Sequence, residues 1–184
     1  MNGGELLVHV TISGAPGSGT STLVAKLCAS TGWSSLNGGE VFRAEAARRG
    51  LSVDEFSELC KNDLDVDRYL DELLKNAMTT ENGPEIMESR LSGWWAYGLK
   101  LDCHRVWIHT SDEERARRIQ NREGGEFETR LEQSMKRQSA DKARYATLYE
   151  IDLDDMTPYS FVVDANNLSA DEVFEIVCLE IGID

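Results

Sequence analysis

The stretch Gly14-Ala15-Pro16-Gly17-Ser18-Gly19-Thr20-Ser21-Thr22 follows the apolar run Leu6-Leu7-Val8-His9-Val10-Thr11-Ile12. Its spacing is that of a strand, a Gly-x-x-x-x-Gly loop and a helix. In such a loop glycines let backbone N–H groups curl around phosphate oxygens, and the helix N-terminus adds partial positive charge. Thr20 stands where the lysine of such a loop belongs, and Ser21 falls at the hydroxyl that would hold Mg²⁺. The plain alternative is a glycine-rich strand-to-helix turn without a ligand. Both flanks favour phosphate binding: a buried-strand pattern precedes the loop, and Leu23, Val24 and Leu27 follow it at helical spacing.

Outward from the loop, strand and helix signals alternate. Ser34-Ser35-Leu36-Asn37 reads as a weak second strand, and helical patterning runs from Glu40 to about Thr80, broken near Gly50-Leu51-Ser52 and Asn62-Asp63. Three successive helices with no strand between them predict a lobe beside the sheet. Pro84 to Glu88 is a third strand and His104 to His109 a fourth. Ser111 to Glu114 predicts a capping box opening a helix to about Arg122, and a long charged helix spans Glu126 to Tyr149. Tyr159 to Val163 is the fifth strand. Ser169 with Glu172 caps the last helix, whose face is Val173, Ile176, Val177 and Glu180. The pattern predicts an α/β fold with a five-stranded parallel, doubly wound sheet and ligands at the strand C-terminal ends.

Composition narrows the function classes. A chain of 184 residues, 41% hydrophobic, can bury a substantial core within one domain. With 19 basic against 33 acidic residues the net charge is −14, which argues against a nucleic-acid partner. Cys28, Cys60, Cys103 and Cys178 are widely spaced and read as core residues of a reducing compartment, not as a zinc site. No stretch is long or apolar enough to span a bilayer, and the N-terminus lacks a basic-then-apolar signal pattern, so the expectation is a cytoplasmic protein without a membrane partner. A monomer is expected separately.

The scarce cations sit beyond successive strand ends: Arg43 after the second strand, Arg90 after the third, Arg118 and Arg122 in the helix after the fourth, and Arg137, Lys142 and Arg144 on the long charged helix. Each alone reads as a solvated surface charge. Together they surround the place where such a fold collects anions. Arg137 and Arg144 lie seven residues apart, two helical turns, so both can point the same way about 10 Å apart along the axis.

The loop, Gly39-Glu40-Val41-Phe42-Arg43, Glu88-Ser89-Arg90-Leu91-Ser92-Gly93-Trp94, and Arg144-Tyr145 followed by Tyr149-Glu150-Ile151-Asp152-Leu153-Asp154-Asp155-Met156 resemble, collinearly over nearly the whole chain, the archaeal-type cytidylate kinases. The resemblance implies a P-loop nucleoside monophosphate kinase fold. Its core would be residues 1–38, 84–125 and 156–184, with a helical monophosphate-binding lobe at about 39–83 and a lid at about 126–155. The implied reaction moves the γ-phosphoryl of ATP onto CMP or dCMP with Mg²⁺. Residues Gly14 to Thr22 with Arg118 and Arg122 would then bind ATP, with Ser21 on the metal. Gly39, Arg43, Arg90 and Gly93 would bind the acceptor, and Thr20, Arg137, Lys142 and Arg144 would serve catalysis.

Two departures stand out. Thr20 replaces the usual lysine, as it often does in archaeal members of this family. Where the family runs Ile-Asp-Arg-x-x-Asp-Arg-Arg-Gln, this chain reads Val66-Asp67-Arg68-Tyr69-Leu70-Asp71-Glu72-Leu73-Leu74. That segment keeps open a kinase for AMP, UMP or a small metabolite, and a nucleotide-binding module without turnover. Glu88 could orient a metal-bound water or be an ordinary strand-end polar residue. Trp94, Trp95 and Tyr97 read as a hydrophobic rim, His9 and His109 as packed strand residues, and Asp154-Asp155 as an acidic surface loop.

Overall fold

The computed structural model of the protein describes residues 8–183; of the opening apolar run, Leu6 and Leu7 lie outside them. Strands β1 (Val10–Gly14), β2 (Ser35–Asn37), β3 (Ile86–Glu88), β4 (His104–His109) and β5 (Phe161–Asp164) form one parallel sheet in the order β2-β3-β1-β4-β5. The helices are α1 (Thr20–Thr31), α2 (Gly38–Arg48), α3 (Val53–Asn62), α4 (Leu64–Thr79), α5 (Ser92–Gly98), α6 (Asp112–Glu123), α7 (Phe127–Tyr149) and α8 (Ala170–Ile181).

The two sheet faces carry separate cores. On one, Leu23, Val24 and Leu27 of α1 pack with Val173, Val177 and Cys178 of α8 over Val10 and Ile12. On the other, Leu74, Met78, Trp95, Tyr145 and Leu148 from α4, α5 and α7 pack over Met87. Helices α1 and α5, leaving the neighbouring strands β1 and β3, therefore lie on opposite faces. The crevice between those strand ends is the switch point at which doubly wound sheets bind ligands. A third core, Ala46, Phe56, Cys60, Val66 and Leu70, belongs to α2–α4, the helical lobe beside the sheet. Burial pushes the Cys60 thiol up to about 11, as expected of an inert core cysteine.

Strand ends differ from the sequence expectation for local reasons. β3 begins at Ile86, two residues late, because Glu85 turns its carboxylate to the Ser34 N–H at 2.8 Å and Pro84 has no N–H to give a ladder. β5 begins at Phe161 because the Tyr159 N–H closes a turn onto the Met156 carbonyl at 3.0 Å, with its ring packed on Trp107, 5.1 Å between centroids. The capping box at Ser111 is half formed: Ser111 accepts from the Glu114 N–H, but the Glu114 carboxylate turns to Arg117 and Arg118. At Ser169 and Glu172 both halves are present. No helix among the described residues is long and apolar enough to cross a membrane.

Candidate active site

The loop after β1 is shaped by its glycines. A Cβ on Gly14 would lie 2.5 Å from Ser18 Oγ and 3.0 Å from the Ile108 carbonyl, while Gly17 and Gly19 hold φ of +90° and +98°. No side chain caps α1, so its first-turn N–H groups remain available to an anion. Lys26 does not replace the missing loop lysine: its ammonium pairs with Asp171 at 2.5 Å.

Two arginines of α6 brace the loop from behind. Arg115, 1% exposed, donates to the Pro16 carbonyl at 3.2 Å and pairs with Asp112. Arg118 donates to the Ser18 carbonyl at 2.9 Å and the Ala165 carbonyl at 2.5 Å, with its Nε on Glu114 at 3.0 Å. Arg118 thus spends its guanidinium on loop geometry while lining a cleft of about 440 Å³ that opens from the loop between Arg122 and Leu168. Arg122 is exposed and pairs with Glu123.

At the other end of the loop Ser21 Oγ donates to Glu88 Oε1 at 2.8 Å, and Asn37 Nδ2 donates to Glu88 Oε2 at 2.6 Å. Glu88 is 6% exposed, so both carboxylate oxygens are held inside the protein by separate elements. A hydroxyl and a carboxylate at adjoining strand ends form an oxygen donor set suited to a hard cation such as Mg²⁺.

The other arginines named from the sequence fall into two groups. Arg90 is mostly buried. It donates to the Gly14 carbonyl at 3.0 Å, bonds Gln138 and pairs with Asp141 at 3.3 Å, while burial pulls its pKa below the usual arginine value. Arg144 pairs with Asp141 at 3.2 Å and Asp67 at 3.6 Å, donates to Tyr145 Oη at 2.9 Å and lies 4.8 Å from that ring's centroid. Burial works against its charge, but Tyr145, Asp67 and Asp141 outweigh it and leave the pKa raised. Arg43 and Arg137, by contrast, are exposed and make no hydrogen bond or ion pair among the described residues.

Two site residues named from the sequence have contacts of their own that account for them. Lys142 turns to Asp154 at 2.6 Å, away from the Arg90–Arg144 cluster. Gly93 is set by packing: a Cβ there would lie 2.3 Å from the Tyr159 ring. Gly39 has a local reason too, since a Cβ would come 2.8 Å from Asn37 Oδ1 and 3.2 Å from the Arg43 guanidinium.

Sequence reasoning missed Asp67, Asn37, Gln138, Asp141 and Arg115. Asp141 left a signal, lying four residues after Arg137 and three before Arg144, the spacing of intrahelical ion pairs, as did Arg115, three residues after Asp112. The altered acceptor segment is absorbed into packing. Leu74 is buried under the sheet, Leu73 packs on the lobe core, and Glu72 pairs with Lys75 at 2.8 Å. Lys75 in turn lies 4.3 Å from the Trp95 ring centroid.

Helix α4 also meets α7 through Asp71, which accepts from Tyr149 Oη at 2.6 Å. Burial pushes the Asp71 carboxyl up to about 6. A carboxyl raised above its unfolded value of about 3.9 adds stability at low pH that is lost as pH rises through 6. Asp71→Asn is therefore expected to be more stable than the parent at pH 8, with that advantage shrinking by about 1–3 kcal/mol by pH 4.5. Urea unfolding at the two pH values checks it, and a pH-independent difference would exclude titration of Asp71 as the cause.

The sequence matches the AAA domain family over residues 13–137. It is 34% identical over 170 residues to the cytidylate kinase of Archaeoglobus fulgidus, covering 92% of each chain. It is 34% identical to that of Methanosarcina mazei, covering 96% of this chain and 97% of the other. With that of Halobacterium salinarum it shares 36% identity over 91% and 86%. Among solved structures the fold is similar to shikimate kinase from Bacteroides thetaiotaomicron, with TM-score 0.61, 12% identity and coverage of 96% and 99%. A gluconokinase from Sinorhizobium meliloti also reaches TM-score 0.61, at 15% identity and coverage of 96% and 93%. With relatives of this identity matched along nine-tenths of its length, and with a phosphate loop at the sheet's switch point, the chain belongs to the cytidylate kinase family of P-loop nucleoside monophosphate kinases.

Proposed function

We propose that this enzyme transfers the γ-phosphoryl group of ATP to CMP or dCMP, giving ADP and CDP or dCDP. The carrying observation is the bond from Arg90 to the Gly14 carbonyl, 3.0 Å, which puts an acceptor-side guanidinium one hydrogen bond from the donor loop. Phosphoryl transfer depends on bringing two anionic groups into line and neutralising charge on the group in flight, and this junction serves both needs. The loop N–H groups from Gly14 to Ser21 would hold the ATP phosphates, and the cleft beside Arg122 and Leu168 would take the adenosine. Arg43 and Arg90 would hold the acceptor phosphate, whose ionised oxygen needs no general base.

In this reading residues 39–83 are the acceptor-binding lobe and residues 126–155 the lid. With no loop lysine, and with Lys26 occupied, positive charge for the γ-phosphoryl falls to Arg137 and Arg144 of the lid. Mg²⁺ would bind beside Ser21 and Glu88 and neutralise phosphate charge. Arg118 acts indirectly, by fixing the Ser18 carbonyl. Leu73 and Leu74 pack within the protein and Glu72 pairs with Lys75, so the side chains that depart from the family segment are engaged by the chain itself.

A coupled assay of ADP formation from MgATP, with each nucleoside monophosphate offered separately, tests the assignment. CMP and dCMP are expected to give the highest kcat/KM. Faster turnover of AMP or UMP, or none with any monophosphate, would overturn it.

A further inference from the structure

Asn37 is the last residue of the edge strand β2 and the N-cap of α2, the helix that carries Arg43. Its amide works in both directions. Oδ1 accepts from the Gly39 N–H at 2.7 Å and the Glu40 N–H at 3.2 Å, while Nδ2 donates to Glu88 Oε2 at 2.6 Å. The sheet register sets Asn37 directly beside Glu88 on β3, so the contact is built into the strand pairing. The other Glu88 oxygen accepts from Ser21 on the phosphate loop.

The chemistry of the position is narrow. Asp also caps helices but offers no donor; Ser and Thr cap them with an oxygen that both accepts and carries their one O–H, on a stem one bond shorter than the asparagine amide nitrogen's. Asparagine supplies the acceptor and an N–H₂ on one short stem. A cap requirement alone would therefore be met by several residues, and the donor toward a buried carboxylate is what singles out the amide.

We propose that Asn37 is a positioning residue that ties the N-terminus of α2 to Glu88, and through it to Ser21, so that the acceptor helix and the metal-side carboxylate hold one geometry. The contact fixes which Glu88 oxygen faces Ser21. It also gives α2, which carries Arg43 toward the acceptor, a rigid link to the donor loop. This role rests on the proposed kinase reaction for its catalytic consequence, but the hold on Glu88 does not.

Three variants separate the two halves of the amide. Asn37→Ser keeps a cap and takes away the N–H₂, leaving only an O–H on a shorter stem. Asn37→Asp keeps the cap and sets a second carboxylate against Glu88. Asn37→Ala loses both. Binding of Mn²⁺ to the protein–ADP complex, followed by electron paramagnetic resonance, reads the metal side without turnover, and kcat, the KM for CMP and Tm are measured alongside. Asn37→Ser is expected to weaken Mn²⁺ binding about 5-fold and lower kcat about 10-fold, with the KM for CMP within about 3-fold and Tm within about 2 °C of the parent. Asn37→Asp should show the larger metal and kcat effects at similar Tm. Asn37→Ala should add a rise in the KM for CMP and a fall in Tm, as α2 loses its cap. Unchanged Mn²⁺ affinity in both Asn37→Ser and Asn37→Ala would overturn the proposal, as would losses that only track Tm across the three variants. Parent protein that turns over no monophosphate yet loses Mn²⁺ affinity in Asn37→Ser would sink the kinase assignment and leave the Asn37 link standing.

Discussion

Arg137→Ala is expected to lower kcat about 10²-fold while changing stability by less than about 0.5 kcal/mol, because the side chain is exposed and unpartnered among the described residues. Arg144→Ala should show a similar loss in kcat together with a loss of fold stability. Removing it strips the partner from Asp67, 8% exposed, and takes one from Asp141. Breaking a fully buried pair costs about 3–5 kcal/mol, but Arg144 keeps a third of its side-chain exposure, so about 1–3 kcal/mol is expected. Steady-state kinetics with urea unfolding separates the two variants. Thr20→Lys tests whether lid charge stands in for the loop lysine: it should change kcat little by itself and restore part of the loss in Arg137→Ala. Strict additivity of the two changes would mean that the lid does not substitute for the lysine. A fall in affinity for a non-hydrolysable ATP analogue matching the fall in kcat would reduce Arg137 to ground-state binding.

Arg90→Ala is expected to have the largest effect of any single substitution on the acceptor side, lowering kcat/KM for CMP by about 10³-fold or more. The guanidinium reaches the Gly14 carbonyl, Gln138 and Asp141 at once, so no neighbouring cation can take over its geometry. Arg90→Lys should recover only a small part, since an ammonium restores the charge without the planar fork that spans these partners. Kinetics with CMP, paired with calorimetric titration of CMP into each variant, measures both the affinity and the catalytic share. Unaltered CMP affinity and kcat in Arg90→Ala would show that the acceptor phosphate is held elsewhere.

The fold was legible in the sequence because its signals are local. Glycine spacing marked the loop, apolar runs marked the strands, and Ser169 with Glu172 marked the last helix. For the cations of α7 the sequence carries the helical phase but not the partners. Arg137 and Arg144 sit in phase, whereas Lys142, five residues from Arg137, is turned about 140° around α7 and finds Asp154 instead. That phase was available in the sequence and argued against grouping the three cations. Arg115 and Arg118 were not separable from surface charge, because what distinguishes them is the loop carbonyls that the fold brings to them. Glu72 read as an anion set against an anionic acceptor. Its pairing with Lys75, one turn later on the same helix, is legible in the spacing once α4 is accepted as continuous.

The contacts around Arg90 bear on how the enzyme meets its substrate in a cell. A chain with a formal charge of −14 would be expected to repel a phosphate dianion, and binding governed by bare surface cations would weaken steeply with added salt. Asp141 already neutralises Arg90 before any nucleotide arrives. With the acceptor phosphate on Arg90, as proposed, it would exchange with a tethered carboxylate instead of displacing mobile ions from solution. The pocket's charge balance is carried within the chain, and acceptor affinity becomes a difference between two internal pairings that concentrated electrolyte screens alike.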